Sequence, residues 1–77
     1  MYYVYAIRSV HRNYIYVGIT ANLDERFLRH NRGREKTTKP YAPFELIYSE
    51  KHDSRNTARV REKYLKSGVG KEFLKKL

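Results

Sequence analysis

The sequence has no cysteine, and no apolar run in it approaches the roughly 18 residues of a membrane-spanning helix. The absence of cysteine excludes disulfide bonds and thiolate-ligated metal sites such as zinc fingers, and it is compatible with a reducing cytoplasm. The N-terminus also lacks a basic segment followed by an apolar stretch, which is the pattern of a secretory signal peptide. From these absences we expect a soluble, cytoplasmic protein.

Acidic residues are scarce as well: eight Asp and Glu stand against 17 Lys and Arg, which gives a formal net charge of +9. An excess of this size indicates a polyanionic partner, and we interpret that partner as nucleic acid. An anionic membrane surface is the weaker alternative, because the apolar face of the basic C-terminal segment extends over only about two turns.

The length of 77 residues predicts one domain covering 1–77. A chain this short buries only about 60% of the surface that its unfolded state exposes, so its core is expected to be thin. Eight Tyr and three Phe are available as aromatic anchors for that core.

Three segments have the β-branched and aromatic composition of strands. Residues 2–9 and 14–20 flank Arg12-Asn13, and Asn tolerates the left-handed backbone of a tight turn, so these segments are expected to pair as an antiparallel hairpin. Residues 44–49 return to the same composition further along the chain.

Helices are indicated by capping residues and by apolar residues at helical spacing. The first helix covers 22–31, with Asn22 as N-cap and Gly33 as left-handed C-terminal cap. The second runs from Asp53 or Ser54 to about Ser67. After a break at Gly68 and Gly70, residues 71–77 form a short basic helix or a frayed tail. Together the elements predict an α+β fold of order β-β-α-β-α-α, with a small three-stranded mixed or antiparallel sheet flanked by helices.

Residues 32–43 read as a basic loop between the first helix and the third strand. The loop is long for a small domain, and loops of this length are usually functional or disordered. Its positive charge favours contact with the phosphates of a nucleic acid. The side chains expected to make that contact are Arg32, Arg34, Lys36 and Lys39.

A set of spaced residues carries a resemblance to a known family. It contains two tripeptides with ten residues between them, and an arginine follows the second tripeptide by eight positions. The set consists of Tyr3-Val4-Tyr5, Tyr16-Val17-Gly18, Arg26, His30 and Glu62. In this combination the chain resembles the GIY-YIG nuclease domain, which is known from the excision-repair nuclease subunit and from homing endonucleases.

The resemblance covers nearly the whole chain. It is greatest for short stand-alone bacterial members, on the basis of Thr38-Lys39-Pro40 and the segment 61–68. One tripeptide alone is a weak match, whereas two at hairpin spacing with the arginine and the glutamate form a specific combination. Within the two tripeptides, the resemblance implies a structural role for Tyr3, Val4, Val17 and Gly18.

The resemblance implies that Glu62 binds one divalent ion, Mg²⁺ or Mn²⁺. Its position agrees with that role, because it lies at the edge of the helical arc that holds Ala58 and Leu65. Mg²⁺ commonly binds one or two carboxylates, with water and phosphate completing its shell. The alternative is an exposed glutamate that pairs with Lys66 four residues on.

Arg26 and His30 are four residues apart, so they share a helix face and are expected to address one phosphate together. Arg26 is expected to stabilise the transition state through its fork of donors, and His30 is expected to relay a proton or to hold the phosphate. The alternative is that both residues lie on a solvated face of the helix.

Tyr5 and Tyr16 correspond to the catalytic tyrosines of the family, one of which is proposed as the general base for the attacking water. A tyrosine hydroxyl titrates near about 10, so this role requires a nearby cation or arginine to lower its pKa. The alternative is that both rings only pack on the sheet.

The chain departs from the family pattern in several places. Tyr3 replaces a glycine, and Thr20 and Ala21 stand where some relatives carry a lysine. No asparagine follows Glu62, and Ser67 is the nearest substitute. The sequence also shows no appended DNA-binding domain. We therefore expect weak or weakly sequence-specific activity unless another protein recruits the chain.

These residues predict a metal-dependent endonuclease that acts on DNA and selects structures such as flaps, nicks, branches or single strands. The alternative function is a non-catalytic nucleic-acid-binding module that retains the fold. RNA stays open as a substrate, because no base-reading motif stands out. The choice between a monomer and a weak dimer stays open too, because no self-complementary patch is evident.

Overall fold

The computed structural model describes all 77 residues and has the expected α+β architecture. Its elements are β1 (Tyr2–Ser9), β2 (Ile15–Thr20), α1 (Leu23–Asn31), β3 (Phe44–His52), α2 (Arg55–Lys66) and α3 (Gly68–Lys75). One turn of 3₁₀ helix, Lys39–Tyr41, lies inside the segment expected to be an irregular loop.

The sheet has the strand order β2-β1-β3, and both pairs are antiparallel. Of the two sheet types expected, the antiparallel one is therefore correct. The central strand β1 is covered on both faces, which explains why four consecutive residues, Val4 to Ile7, are fully buried. Successive side chains of a strand point to opposite faces, so the two faces of β1 build two separate clusters.

One cluster lies between the sheet and the helices α2 and α3. Its buried members are Val4, Ala6, Val17, Ala58, Leu65 and Leu74. The other cluster lies on the face that carries α1, and its buried members are Tyr5, Ile7 and Phe44. The partly buried rings of Tyr14, Tyr16, Phe27 and Tyr41 pack against it. The aromatic anchors expected from the composition are thus concentrated on the α1 face.

The ends of α1 are those expected. The Asn22 side chain accepts a hydrogen bond from the backbone N–H of Glu25 at 3.2 Å, which satisfies one of the free donors of the first turn. Gly33 has a φ of 69°, the left-handed conformation that favours glycine after a helix.

Two boundaries differ from the expectation, and the structure decides a third that the sequence left open. Strand β3 continues to His52 rather than ending at Ser49. Of the two candidate caps for α2, Ser54 accepts the hydrogen bond from Thr57 N–H. Gly68 and Gly70 do not form a break, because α3 begins at Gly68 with Ser67 as its N-cap.

The early start of α3 has a steric reason. A Cβ atom on Gly70 would lie 2.3 Å from the carbonyl oxygen of Tyr64 and 2.5 Å from the Cα of Leu65. Only a glycine at this position lets α3 approach the backbone of α2 so closely. The three anchors expected in the C-terminal segment differ in burial: Leu74 is fully buried, whereas Phe73 and Leu77 stay partly exposed.

No helix of the structure has the length and apolar character needed to cross a membrane.

Candidate active site

A cleft of about 440 Å³ lies along the free edge of β2. One wall comes from α1 and the other from α2, which pack on opposite faces of the sheet. The cleft is lined by Tyr2, Tyr16, Gly18, Ile19, Thr20, Ala21, Arg26, Arg55, Arg59 and Glu62. Four residues of the expected site therefore meet here, although they come from three elements: Tyr16, Gly18, Arg26 and Glu62.

The α2 wall presents one narrow stripe of the helix. At 3.6 residues per turn, Arg55, Arg59 and Glu62 lie within about 60° of one another around the helix axis. Ala58 and Leu65, both fully buried, lie beside this stripe and fix its orientation towards the sheet. Glu62 is consequently half-buried, with 24% of its side chain exposed.

Glu62 also forms the ion pair with Lys66 that was the alternative to a metal site. The Lys66 Nζ and Glu62 Oε2 atoms are 3.3 Å apart. Pairing with Lys66 does not remove Glu62 from the cleft, so a bound cation and Lys66 would compete for the same carboxylate.

The charges of the cleft are strongly unbalanced. Glu62 is its only acidic residue, and no carboxylate lies within 4.0 Å of the guanidinium groups of Arg26, Arg55 or Arg59. Three arginines outside the cleft are paired with a carboxylate: Arg8 with Glu45, Arg29 with Glu35 and Arg61 with Glu50. The cleft therefore suits a polyanion.

Tyr5 and His30 lie beneath the cleft rather than in it. Both are at least 99% buried, and the Tyr5 hydroxyl is 2.8 Å from His30 Nε2. The other ring nitrogen of His30, Nδ1, is 2.7 Å from the hydroxyl of the buried Thr38. That Arg26 and His30 share one phosphate stays a prediction: Arg26 lines the cleft, whereas His30 is buried and contacts Tyr5 and Thr38.

Burial controls the titration of this pair. It raises the pKa of Tyr5 strongly, the neighbouring Tyr16 raises it further, and Arg26 opposes the shift only in part. Burial also lowers the pKa of His30, with Arg26 and Arg29 acting in the same direction against Glu35. At neutral pH Tyr5 is a neutral phenol and His30 a neutral imidazole. Tyr5 is thus unsuited to act as a base, and Tyr16 is the tyrosine that faces the cleft.

Gly18 makes room for both tyrosines. It lies opposite Tyr5 in the β1–β2 pair. A Cβ at this position would lie 2.7 Å from the Tyr5 hydroxyl oxygen and 3.0 Å from a ring carbon of Tyr16. The last residue of the second tripeptide is therefore a glycine for steric reasons, and it is a lining residue of the cleft as well.

The donor set of the cleft decides which metal it fits. The structure contains no group of three or more His, Cys, Asp or Glu side chains that could hold a metal ion. A single carboxylate does not form a structural zinc or calcium site. It does fit Mg²⁺ or Mn²⁺, which accept one carboxylate when water and substrate phosphates complete the shell.

The remaining expected residues lie outside the cleft. Val4 and Val17 belong to the core on the opposite face, and Tyr3 is partly exposed with Lys51 over its ring. Ser67, the substitute for the missing asparagine, donates to the Tyr64 carbonyl and caps α3, so it does not serve the site. The basic loop residues are exposed and unpaired on a separate surface: Arg32, Arg34, Lys36 and Lys39.

Sequence reasoning missed three residues of the site. Arg55 and Arg59 precede Glu62 by seven and three positions, and this helical spacing was a usable signal in the sequence. Thr38 gave no such signal, because its contact with His30 depends on how the loop folds back.

Comparison with known proteins identifies the family of the chain. The family model described as the GIY-YIG catalytic domain matches residues 1–76. The chain is 35% identical to a UPF0213 protein of Staphylococcus haemolyticus over 75 residues, which covers 96% of this chain and 90% of that one. It is 38% identical over 79 aligned positions to a UPF0213 protein of Pediococcus pentosaceus, covering 97% and 82%.

A UPF0213 protein of Natronomonas pharaonis is 34% identical over 67 residues, covering 86% of this chain and 78% of that one. No solved structure matches the chain. The family match spans almost the whole chain, and Tyr16, Arg26 and Glu62 line one basic cleft. The chain therefore belongs to the GIY-YIG family of nuclease domains, whose substrates are nucleic acids, and to its short stand-alone members.

Proposed function

We propose that the protein is a divalent-metal-dependent endonuclease that hydrolyses phosphodiester bonds of DNA in the cleft beside β2. The observation that carries this proposal is the convergence of Tyr16, Arg26 and Glu62 in one basic cleft, from three different elements. RNA is a second nucleic acid that the same backbone chemistry accepts.

The residues of the cleft divide the chemical tasks. Arg26 offers a fork of donors to the non-bridging oxygens of the scissile phosphate and stabilises the negative charge that grows there during attack. The Tyr16 hydroxyl accepts a hydrogen bond from the attacking water and orients it. As the water oxygen bonds to phosphorus, the water gives up one proton to solvent past the Tyr16 hydroxyl. The bond from phosphorus to the leaving sugar oxygen breaks, and that oxygen takes up a proton from solvent.

Glu62 would hold the metal ion. When bound, a divalent ion at this carboxylate supplies Lewis-acid stabilisation of the phosphate. The buried pair of Tyr5 and His30 fixes the floor of the cleft and keeps water from entering beneath it. In this proposal both are positioning residues.

In this proposal the enzyme selects its DNA substrate by structure rather than by sequence. The cleft offers three guanidinium groups, and their contacts with phosphates carry no sequence information. A cleft at a sheet edge is open at its sides, so a strand of a branch, flap or nick can pass through it. Target choice by a recruiting protein fits the same surface.

The second candidate is a non-catalytic binding module. It is favoured by the Lys66–Glu62 ion pair, which already occupies the only carboxylate of the cleft. Such a module would bind DNA through the same arginines without cutting it.

The experiment is incubation of supercoiled plasmid and of nicked, branched and single-stranded oligonucleotides with Mg²⁺, Mn²⁺ or EDTA. We expect metal-dependent products from the natural chain and none from Glu62→Ala. Glu72→Ala is the matched control, because Glu72 is also a helical glutamate paired with a lysine, but it lies on α3 outside the cleft. DNA binding without products in any metal would establish the binding module instead.

A further inference from the structure

We propose that Arg55 and Arg59 form a second phosphate subsite, which holds two backbone phosphates of the nucleic acid next to the scissile one. The inference rests on the proposed function for the position of the scissile phosphate, between Arg26 and Glu62. The subsite also defines the path of the bound strand, which runs along α2 from Glu62 towards the N-terminus of that helix.

The geometry of α2 separates this subsite from the metal-binding position. At 1.5 Å per residue, Arg59 and Arg55 lie about 4.5 Å and about 10.5 Å from Glu62 along the helix axis. All three side chains lean towards the N-terminus of α2, so the order Arg55, Arg59, Glu62 along the axis also holds for their charged groups. They therefore extend the site and do not crowd the scissile phosphate.

The electrostatics of these two arginines point to a ligand. Arg55 and Arg59 are like charges at i,i+4, an arrangement that destabilises a helix. Both are exposed, neither has a carboxylate partner, and Arg26 adds a third positive charge to the same cleft. Fold stability gives no reason for this cluster, whereas an anionic ligand compensates all three charges.

The ligand class is a phosphodiester chain. Two guanidinium groups one helical turn apart match successive phosphates better than a single small anion, since each can make its own bidentate contact. Contacts of this kind position the backbone and carry no sequence information. The subsite therefore increases affinity for DNA of any sequence.

The first test is equilibrium binding of a labelled DNA oligonucleotide in EDTA, without turnover, at about 50 and about 200 mM salt. Each neutralised phosphate contributes about 0.7 to the logarithmic salt slope for single strands and about 0.9 for duplexes. When the salt concentration is raised between these two values, both proteins lose affinity. For single strands the factor lost by the natural chain should be about sevenfold larger than the factor lost by Arg55→Gln/Arg59→Gln, and for duplexes about twelvefold larger.

The matched control is Arg12→Gln/Lys76→Gln, which removes the same charge from exposed positions. Both lie away from the cleft. Arg12 is in the turn between β1 and β2. Lys76 is next to Leu77, and the Leu77 carbonyl accepts a hydrogen bond from Arg8 near the end of β1. We expect this control to keep the salt slope of the natural chain. An unchanged slope in the cleft variant, or an equal decrease in both variants, would overturn the subsite.

A second measurement locates the contact. Single methylphosphonates, which remove the charge of one phosphate, are placed along the oligonucleotide in turn. Affinity of the natural chain should fall at three adjacent positions, the scissile phosphate and the two beside it. The cleft variant should stay sensitive at the scissile phosphate and be insensitive at the other two. Equal sensitivity of both proteins at every position would contradict the inference.

The outcome of these tests is separable from that of the proposed function. Binding in EDTA does not require cutting, so the subsite can be found in a chain that never cleaves DNA. Conversely, cutting that Glu62→Ala abolishes, together with an unchanged salt slope in Arg55→Gln/Arg59→Gln, would retain the nuclease and reject the subsite.

Discussion

At the scale of single residues, the hydroxyl of Tyr5 is crowded by its neighbours beneath the cleft. It is 2.8 Å from His30 Nε2, and it leaves no room for a side chain at position 18. Contacts with neighbours constrain each of these residues. The Tyr5 hydroxyl contacts the neutral imidazole of His30, and the other nitrogen of that imidazole contacts the Thr38 hydroxyl. Substitutions here should thus change stability and activity together.

His30 should make the stability of the fold sensitive to mild acid. Its pKa is below the ordinary value of 6.5 in the folded state, so the unfolded chain binds a proton first as the pH falls. The stabilisation is present above about pH 6.5 and is lost as the pH falls towards the folded pKa. Urea unfolding at about pH 7.5 and about pH 5 should show a smaller loss of unfolding free energy in His30→Gln than in the natural chain.

The control for this prediction is His11→Gln, an exposed position in the turn between β1 and β2. It should leave the pH dependence unchanged. Equal pH dependence of His30→Gln and the natural chain would show that His30 does not titrate differently on folding.

Lys66 should weaken metal binding at Glu62 by competing for its carboxylate. An exposed i,i+4 ion pair is worth about 0.3–0.5 kcal/mol, which corresponds to about a twofold change in affinity. We expect Lys66→Gln to lower the Mg²⁺ concentration for half-maximal cutting by about twofold. Lys63→Gln removes the same charge from the same helix without breaking an ion pair, so a similar shift in that variant would assign the effect to net charge.

At the scale of elements, the site depends on how α2 is held. The Glu50 carboxylate near the end of β3 accepts hydrogen bonds from Tyr48 and from Arg61 of α2, and it contacts His52. Burial alone would raise the pKa of Glu50, but these bonds outweigh it and lower the pKa. Strand β3 continues to His52 because its last residues pair with Tyr2 and Tyr3 of β1, and the bond from Arg61 to Glu50 ties α2 to this end of β3.

The contact between α2 and α3 should depend on one glycine. In Gly70→Ala the new Cβ would meet backbone atoms at 2.3–2.8 Å, so α3 must move away from α2. Overpacking of this kind costs about 1–3 kcal/mol of unfolding free energy. Urea unfolding measures the loss, with Gly68→Ala as the control.

Gly68 lies two residues earlier in the same helix, and a Cβ there meets nothing within 4 Å. That control should be neutral or more stable by up to about 1 kcal/mol, because alanine favours a helix over glycine. Equal effects of the two substitutions would mean that α3 does not pack closely on α2.

At the scale of the whole molecule, two small cores share one three-stranded sheet. Only nine hydrophobic residues are buried, so each carries a large part of the stability. A chain of this size is expected to have an unfolding free energy of about 4–12 kcal/mol, at about 0.05–0.15 kcal/mol per residue. The margin against core substitutions is therefore narrow.

Leu65→Ala should remove much of that margin. Leu65 is fully buried between α2 and the sheet, and truncation of such a leucine costs about 2–5 kcal/mol. Val60→Ala on the outer face of α2 is the control, since Val60 is 72% exposed and should change the free energy of unfolding by less than about 0.5 kcal/mol. Similar urea midpoints for both variants would contradict the assignment of the core.

The sequence by itself determined the element types and their order, the caps at Asn22 and Gly33, and the family motifs. These follow from local properties: side-chain period, backbone preference and spacing along the chain. It did not indicate that α3 starts at Gly68, because the close approach to Tyr64 that requires Gly70 is a contact between two helices.

Only the tertiary structure decided the composition of the cleft. The sheet order β2-β1-β3 leaves one edge of β2 open, and the packing of α1 and α2 on opposite faces brings Arg26 to the same edge as Arg55, Arg59 and Glu62. The same packing buries His30, which helical spacing alone had placed beside Arg26. Such relations join residues far apart in sequence, so they depend on the register of the strands and on the rotation of each helix.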